Sequence, residues 1–282
     1  MNVTSSNNTP LKASLIIAVY KDVEALHAIL LALKNQSEKN FEVIVTEDGE
    51  STEMAEYFAK NNAILPNLHH LTQVDNGWRK TAAVNRAIQS AQSDYLIFID
   101  GDCIPRFNFI ESHVQNKQHD KVCTARRVNL GPIVSKLIRK KPGRIKLLEN
   151  RLFYFFFALP LHIDKIRDYE VGFASKLLHF ISRNRYLGIM GCNFSCYKSD
   201  MLKINGYNED LPGAGGEDDD LEWRFNGMGI VTKSIKFITP NYHLYHPVQR
   251  HNTEVNQAIS RKNKEKKQYF CLNGIVKENQ PT

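Results

Sequence analysis

Residues 94–105, DYLIFIDGDCIP, decide the fold of this chain. They join an apolar run, typical of a strand buried on both faces, to a tail of two aspartates on either side of Gly101. Buried strands of this kind belong to parallel sheets, and ligands bind beyond the carboxyl ends of such strands. We therefore expect Asp100 and Asp102 to lie at a ligand-binding edge.

The residues that precede this stretch alternate between strand and helix patterns. Strands are predicted at 14–20 (SLIIAVY), 41–46 (FEVIVT) and 68–74, and helices at 24–36, 51–59 and 80–91. Strands that alternate with helices form right-handed crossovers in a parallel sheet. The predicted fold class is therefore α/β, with a Rossmann-like, mostly parallel sheet flanked by helices. The polar ends of the strands should meet along one edge.

Positive charge is concentrated in two parts of the chain. The net charge is +7 over 282 residues, and basic residues cluster at 126–151 and at 261–267. Such patches indicate partners that carry phosphate: a nucleotide diphosphate, an anionic lipid head group or nucleic acid. The five cysteines are widely spread, so we expect reduced, buried thiols.

The alternating pattern breaks after Val128. Residues 131–187 combine the first basic run with the apolar stretch LFYFFFALPLHI at 152–163. Two interpretations stay open: a helical insertion packed on the sheet, or a basic, aromatic surface that contacts an anionic membrane through 133–185. No apolar run reaches the roughly 18 to 20 residues that span a bilayer, and the polar N-terminus lacks a signal-peptide layout. We expect a cytoplasmic protein, peripheral on the inner face of the cytoplasmic membrane if the second interpretation holds.

A second acidic motif, GAGGEDDD at 213–220, precedes a segment with helical character at 221–226. One or two carboxylates would suffice to cap that helix and to complement its dipole. Four in a row repel one another, and their pKa values should separate, which suits one of them to act as a base. The preceding glycines allow a ligand to approach these carboxylates closely.

Two histidines lie downstream of both acidic motifs. His243 and His246 are three residues apart in YHLYHP. A lone histidine is more often structural, but two at this spacing, downstream of two acidic motifs, are candidate metal ligands.

Basic residues stand at the start of the helix predicted at 80–91. Arg79 and Lys80 precede Asn85 on this helix. Cations are unfavourable at a helix N-terminus unless an anion lies between them, and a diphosphate would resolve this conflict.

The order of these motifs resembles the family 2 glycosyltransferases of the GT-A fold. SLIIAVY, EVIVTEDG, GWRKTAAVNRAI and DYLIFIDGDCIP look like the nucleotide-binding half of that family. Residues 191–229, from GCNFSCYKSD to LEWRFNGMG, resemble the half shared by β-1,4-galactosyltransferases and bacterial polysaccharide synthases. We expect a nucleotide-sugar-binding half at 1–128, a basic and aromatic helical insertion at 129–187, an acceptor and catalytic half at 188–250, and a C-terminal helix and tail at 251–282.

The resemblance implies a nucleotide-sugar site and a metal site. Asp102 matches the acid that binds Mn²⁺ (or Mg²⁺) through the diphosphate. His246 matches the C-terminal metal ligand, and His243 matches a position that is also a ligand in galactosyltransferases. Which of the two histidines binds the metal stays open. The expected donor-site residues are Ala18, Tyr20, Asp48, Arg79, Lys80, Asn85, Asp100, Gly101 and Asp102, with Ala18, Tyr20 and Asp48 at the uracil and ribose.

The resemblance also implies an acceptor site and a reaction. Glu217 and Asp218 match the pair that grips the acceptor and deprotonates its hydroxyl, with Asp218 as the expected base. The implied activity is inverting transfer of galactose, glucose or an N-acetylhexosamine from a UDP-sugar to an oligosaccharide or lipid-linked acceptor of lipopolysaccharide, capsule or a similar bacterial surface polysaccharide. Ala214 stands where relatives often carry tryptophan, so the acceptor's identity does not carry over.

Two other classes of protein fit the sequence less well. A sugar nucleotidyltransferase needs a glycine-rich phosphate loop after its first strand, whereas this strand ends in AVYK at 18–21. A non-enzymatic nucleic-acid-binding protein would explain the basic runs but not the acids at 217–220, which repel phosphate. Nucleic acid is therefore not an expected partner.

Overall fold

The structure is a computed structural model that describes residues 9–157, 164–247 and 253–277. Its strands are β1 (Ala13–Val19), β2 (Phe41–Glu47), β3 (Leu68–Leu71), β4 (Tyr95–Asp100), β5 (Cys103–Pro105), β6 (Lys121–Thr124), β7 (Arg127–Asn129), β8 (Phe194–Tyr197), β9 (Val231–Ser234) and β10 (Asn241–His243). Its α-helices are α1 (Val23–Lys34), α2 (Thr52–Asn61), α3 (Lys80–Ser90), α4 (Phe109–Asn116), α5 (Pro132–Lys140), α6 (Arg151–Phe157), α7 (Tyr169–Gly172), α8 (Lys176–Ser182), α9 (Lys198–Lys203), α10 (Glu217–Gly227) and α11 (Thr253–Glu265). A 3-10 helix spans Pro142–Glu149.

Seven strands form the central sheet, in the order β3-β2-β1-β4-β8-β6-β9. The first four run parallel, β8 is antiparallel to β4 and β6, and β9 is parallel to β6. The chain order reverses between β1 and β4, and in doubly wound sheets ligands bind outside the strand ends at such a switch point. The predicted mostly parallel α/β fold is confirmed.

Both faces of this sheet are buried. Leu15 and Ile17 of β1 pack in the cluster that includes α1, whereas Ile16 packs in the cluster that includes α3. Successive strand residues point to opposite faces, so a run of consecutive apolar residues is what a sheet covered on both sides requires. All five cysteines are free and buried, as expected.

A second, three-stranded sheet has the order β5-β10-β7. The strand β10 pairs antiparallel with β5, and this register sets His243 opposite Cys103. The amide of Leu244 also donates to the carbonyl of Asp102 at 2.9 Å. The strand pairing thus brings the histidine segment next to the second aspartate of the Asp-Gly-Asp motif.

Two predicted elements have different limits from those expected. The strand predicted at 68–74 ends at Leu71. Leu71 pairs with Thr46 of β2, and β2 itself ends at the next residue, Glu47, so a longer β3 would have almost no strand left to pair with. The helix predicted at 221–226 begins earlier, at Glu217. Carboxylates in the first turn of a helix favour this longer form, because they lie at the positive end of its dipole.

The insertion divides into a packed part and an exposed part. The helix α5 and the 3-10 helix contact α1, and Arg139 forms a bidentate ion pair with Asp22 at 2.6 and 2.7 Å. The later helix α8 has no buried residue. Residues 158–163 of the predicted apolar stretch lie outside the described residues. Within the described ranges, no helix has both the length and the apolar character needed to cross a bilayer.

Candidate active site

The Asp-Gly-Asp turn lies at the carboxyl ends of β1 and β4. Asp100 is paired with Ala18 in the sheet register, and the amide of Gly101 donates to the carbonyl oxygen of Ala18 at 2.8 Å. A Cβ atom at Gly101 would lie 2.8 Å from that oxygen and 2.8 Å from Cγ1 of Val19. Only glycine therefore allows this tight turn, which presents both aspartates at the switch point of the sheet.

Asp102, His243 and His246 converge with their donor atoms close together. Nε2 of His246 lies 3.0 Å from Oδ2 of Asp102, and Nε2 of His243 lies 3.3 Å from the same oxygen. The two Nε2 atoms are 3.2 Å apart. Adjacent corners of a coordination octahedron with bonds of about 2.1 Å are about 3.0 Å apart. These residues therefore fit one face of a six-coordinate divalent cation.

The charge of this cluster suits a cation. Burial favours the protonated form of Asp102, but its contacts with His243 and His246 outweigh this effect and lower its pKa far below the usual range. The hydrogen bond that the His246 ring donates to Asp102 raises the pKa of His246. The carboxylate therefore stays ionised, and both imidazoles lie within reach of it.

Lys80 connects the two acidic motifs. Lys80 is the first residue of α3, and its Nζ lies 2.6 Å from Oδ1 of Asp100. Desolvation lowers the pKa of Lys80, but the charges of Asp100, Glu217 and Asp218 outweigh it and raise this pKa well above its usual value. The ammonium group therefore stays charged between the Asp-Gly-Asp turn and the start of α10.

Asp218 and Glu217 occupy the first turn of α10. Oδ2 of Asp218 accepts a hydrogen bond from the amide of Gly191 at 2.8 Å, and Oε2 of Glu217 accepts one from Gly215 at 2.7 Å. Burial and the neighbouring charge of Glu217 raise the pKa of Asp218 to about 7, although Lys80 opposes the shift. A carboxylate that titrates near neutral pH can accept a proton from a hydroxyl.

The remaining two acids of the motif have other environments. Asp220 is buried and pairs with Nε of Arg224 at 2.7 Å, one helical turn further along α10. Nη1 of Arg224 also donates to the carbonyls of Ile204 and Gly206. Asp219 is exposed. Asp220 is thus structural, and the two acids near Lys80 are Glu217 and Asp218.

The predicted base and ribose contacts lie at the rim of the same edge. Tyr20 is 54% exposed, and its hydroxyl donates to Asp75 at 3.1 Å. Asp48 is buried, and its oxygens accept from Nε2 of Gln73 at 2.5 Å and from the amide of Arg79 at 2.6 Å. The ring of Tyr20 is therefore partly open to a ligand, with Nζ of Lys21 4.6 Å from its centroid. Asp48, in contrast, already accepts a hydrogen bond from the residue that precedes α3.

Asn85 joins α3 to a neighbouring loop. It is buried on α3, where its side chain donates to the carbonyl of Tyr207 and to Glu209 and accepts from the amide of Tyr207. These partners lie in the 207–209 loop. The role of Asn85 at the nucleotide stays a prediction, and in the structure its polar atoms connect α3 to this loop.

A cavity of about 420 Å³ opens beside the N-terminal end of α3. It lies between the start of α3 and the loop that precedes α10, and it is lined by Asn76, Trp78, Arg79, Thr81, Ala82, Glu209, Leu211, Pro212 and Gly213. Trp78, which is 42% exposed, was missed as a site residue, although it stands within the quoted GWRK motif. An exposed indole beside a polar cavity is a suitable surface for the apolar face of a sugar ring.

Comparison with known families agrees with this architecture. The model described as glycosyl transferase family 2 matches residues 14–165, more than half of the 282-residue chain. A second model, described as the N-terminal domain of galactosyltransferase, matches residues 172–247. The chain thus has a GT-A fold and belongs to glycosyl transferase family 2. The resemblance inferred from the motifs is confirmed.

The curated relatives include polysaccharide synthases. Chondroitin synthase from Escherichia coli is 22% identical over 254 residues, which is 86% of this chain and 36% of that protein. Validoxylamine A glucosyltransferase from Streptomyces hygroscopicus subsp. jinggangensis is 23% identical over 240 residues, 80% of this chain and 54% of that protein. The chain thus spans from about a third to about half of the length of these two relatives.

Solved structures share the fold at low sequence identity. GalNAc-T7, crystallised with UDP, GalNAc and Mn²⁺, aligns over 91% of this chain and 48% of its own, with a TM-score of 0.61 and 12% identity. The mannosyltransferase PcManGT from Pyrobaculum calidifontis, in complex with GDP-Man and Mn²⁺, aligns over 89% of this chain and 63% of its own, with a TM-score of 0.54 and 12% identity.

Proposed function

We propose that this protein is a metal-dependent, inverting hexosyltransferase that uses a UDP-sugar and a glycan acceptor. One observation carries the proposal. The cluster of Asp102, His243 and His246 and the pair Glu217–Asp218 lie at the same edge of the sheet, linked through Lys80 and Asp100. A site for the diphosphate and a base for the acceptor are therefore close enough to serve one reaction.

The donor would lie across the switch point between β1 and β4. The exposed ring of Tyr20 can stack on a base, and Ala18 lies near the end of β1, opposite Asp100 in the sheet register. Asp100 can accept a hydrogen bond from a ribose hydroxyl, while Lys80 and Arg79 supply positive charge for the phosphates. Solved relatives of this fold contain UDP or GDP-Man together with Mn²⁺.

Asp102, His243 and His246 would hold the divalent cation. When bound, the cation offsets the charge of the diphosphate leaving group. Two imidazoles favour a transition ion such as Mn²⁺ over Mg²⁺, which prefers oxygen ligands. Lys80 shares the task of balancing negative charge, because it faces Asp100 and lies near Glu217 and Asp218.

Asp218 would deprotonate the acceptor hydroxyl. The acceptor oxygen forms a bond to the anomeric carbon while the bond from that carbon to the UDP oxygen breaks, and the proton passes to Asp218. The hydrogen bond that the amide of Gly191 donates holds the carboxylate of Asp218 in place. Glu217 would accept a hydrogen bond from a second hydroxyl of the sugar acceptor. A single displacement inverts the anomeric configuration, so an α-linked donor gives a β-linked product.

The acceptor would be a glycan of a bacterial surface polysaccharide, such as lipopolysaccharide or capsule, free or lipid-linked. The relative named as chondroitin synthase supports a polysaccharide substrate. The donor hexose would be galactose, glucose or an N-acetylhexosamine. Trp78 offers an aromatic surface next to the loop in which Ala214 replaces the tryptophan of many relatives. We also propose, from the sequence, a cytoplasmic location and the division of the chain into segments 1–128, 129–187, 188–250 and 251–282.

A screen of UDP-sugars for slow hydrolysis without acceptor tests this function. Purified protein with Mn²⁺ should hydrolyse one of them, and Asp102→Ala should abolish the reaction. Asp120→Ala serves as the matched control, because Asp120 is an exposed carboxylate that pairs with Lys203. Hydrolysis that survives in Asp102→Ala, or that survives a chelator in the unchanged protein, would contradict the metal assignment.

A further inference from the structure

The short helix α8 presents an apolar face to solvent. Leu177, Phe180 and Ile181 are 67%, 62% and 61% exposed, and spacings of three and four residues set them on one side of the helix. His179 points the other way, since its Nδ1 lies 3.0 Å from the carbonyl oxygen of Lys236. Large apolar side chains grouped in this way are unusual on a protein surface without a partner.

Cations lie next to this face, beyond the C-terminal end of α8. A groove of about 530 Å³ is lined by residues 183–186, which directly follow α8, and by Lys121 and Lys233, with no carboxylate among its lining residues. The guanidinium carbon of Arg183 lies 4.4 Å from the ring centroid of Phe180. Among the described residues, Lys121, Arg183 and Arg185 form no ion pair with a carboxylate. The groove therefore suits an anionic partner.

The same surface continues towards the predicted base. Tyr186 is 76% exposed, and its hydroxyl donates to Glu222 of α10. The amide of Ile189 also donates to Glu222 at 2.7 Å, and that of Gly191 donates to Asp218 at 2.8 Å. Asp218 and Glu222 are one helical turn apart, about 6 Å along the axis of α10. The segment 186–191 thus runs from α8 to the acceptor side of the site.

We propose that the α8 surface, formed by Leu177, Phe180, Ile181, Arg183, Arg185 and Tyr186, docks on a membrane that contains anionic lipids. A bilayer interface offers an apolar phase and a layer of negative charge in one plane, and the α8 surface has matching parts for both. An anionic glycan would satisfy the cations but not the exposed leucine, isoleucine and phenylalanine. If the proposed function holds, the membrane would deliver a lipid-linked acceptor towards Asp218.

Vesicle sedimentation tests this surface with the full chain. The protein should bind vesicles of phosphatidylcholine mixed with phosphatidylglycerol, bind those of phosphatidylcholine alone weakly, and lose binding as salt rises. Phe180→Ser with Ile181→Ser should weaken binding at least about tenfold, and each of Arg183→Gln and Arg185→Gln about fivefold. Val255→Ser is the matched control, because Val255 is also exposed, on α11 near the second basic run, and should change nothing.

Three results would overturn the membrane proposal. The first is equal binding to neutral and anionic vesicles, and the second is no binding to either. The third is full vesicle binding by the Phe180→Ser, Ile181→Ser variant together with effective competition by heparin, which would indicate a glycan-binding groove instead. UDP-sugar hydrolysis without vesicles is measured in parallel and should be unchanged in this variant. If the unchanged protein hydrolyses no UDP-sugar but still binds vesicles, the proposed function is rejected and the membrane-docking proposal is not.

Discussion

Nε2 of His246 lies 3.0 Å from Oδ2 of Asp102, although the two residues are far apart in the chain. The contact depends on the antiparallel pairing of β10 with β5, which places the end of one strand beside the turn that starts the other. His243 joins the same cluster from β10. The pairing of the two strands thus brings together three possible metal ligands: Oδ2 of Asp102 and the Nε2 atoms of His243 and His246.

This cluster predicts metal binding that depends on the charge of Asp102. Asp102→Asn should weaken Mn²⁺ binding at least about 100-fold, because it removes the one anionic ligand. His246→Ala and His243→Ala should each weaken it less. Electron paramagnetic resonance of free Mn²⁺ during a titration measures this without any sugar substrate. The control Asp120→Asn should bind Mn²⁺ as the unchanged protein does, and an unaltered affinity in Asp102→Asn would contradict the assignment.

The pKa of Asp218 predicts the pH dependence of transfer. Because a base must be deprotonated and this carboxyl titrates at about 7, kcat/KM should fall about tenfold per pH unit below 7 and level off above it. Asp218→Asn should lose about 100- to 10,000-fold in kcat while UDP still binds. A pH profile that is flat between 5 and 8, or normal turnover in Asp218→Asn, would remove Asp218 as the base.

Lys80 should set the position of that pH profile. Its positive charge lowers the pKa of Asp218, so Lys80→Met should move the inflection of kcat/KM to higher pH, whereas Lys80→Arg should leave it nearly in place. The measurement is the pH profile of each variant with saturating Mn²⁺. An inflection that moves to lower pH in Lys80→Met would contradict the electrostatic account.

Trp78 should contribute to sugar binding. If its indole stacks on a sugar ring in the cavity beside α3, Trp78→Ala should raise KM about tenfold for the sugar that it contacts and change kcat little. Trp78→Phe should retain most of the affinity, because it keeps an aromatic face. Initial rates at varied donor and varied acceptor identify which sugar is affected. Unchanged KM values for both would exclude the role.

The buried ion pair of α10 should support the fold. Arg224→Met leaves Asp220 charged and unpaired in the interior and removes hydrogen bonds to Ile204 and Gly206, so we expect a loss of about 3–5 kcal/mol in the free energy of unfolding. Replacing Asp220 with leucine as well should recover part of this loss. Chemical denaturation measures both changes, and a loss below about 1 kcal/mol in Arg224→Met would contradict the structural role.

The strands and their polar ends could be predicted because they depend on local pattern. Consecutive apolar residues in β1, β2 and β4 indicated a sheet buried on both faces. Asp100 and Asp102 could be placed at the edge of this sheet because they come at the end of the buried strand β4. The limit of β3 could not be predicted, because it depends on where its neighbour β2 ends.

The roles of single side chains depended on tertiary contacts that the sequence does not display. Asn85 has the position of a phosphate-binding residue on α3, but the packing of the 207–209 loop uses all its polar atoms. Asp220 is equivalent to Glu217 and Asp218 in sequence, yet Arg224 neutralises it. Trp78 becomes a candidate only when the loop before α10 closes a cavity around it.

The stereochemistry of UDP-sugar hydrolysis distinguishes an inverting transferase from a retaining one. Proton NMR, started within seconds of adding protein and Mn²⁺ to an α-linked UDP-hexose, distinguishes the two anomers of the released sugar before they equilibrate. We predict that the β-anomer appears first and that a chelator stops its release. Release of the α-anomer first, or release that continues without a divalent cation, would contradict a metal-dependent inverting transferase.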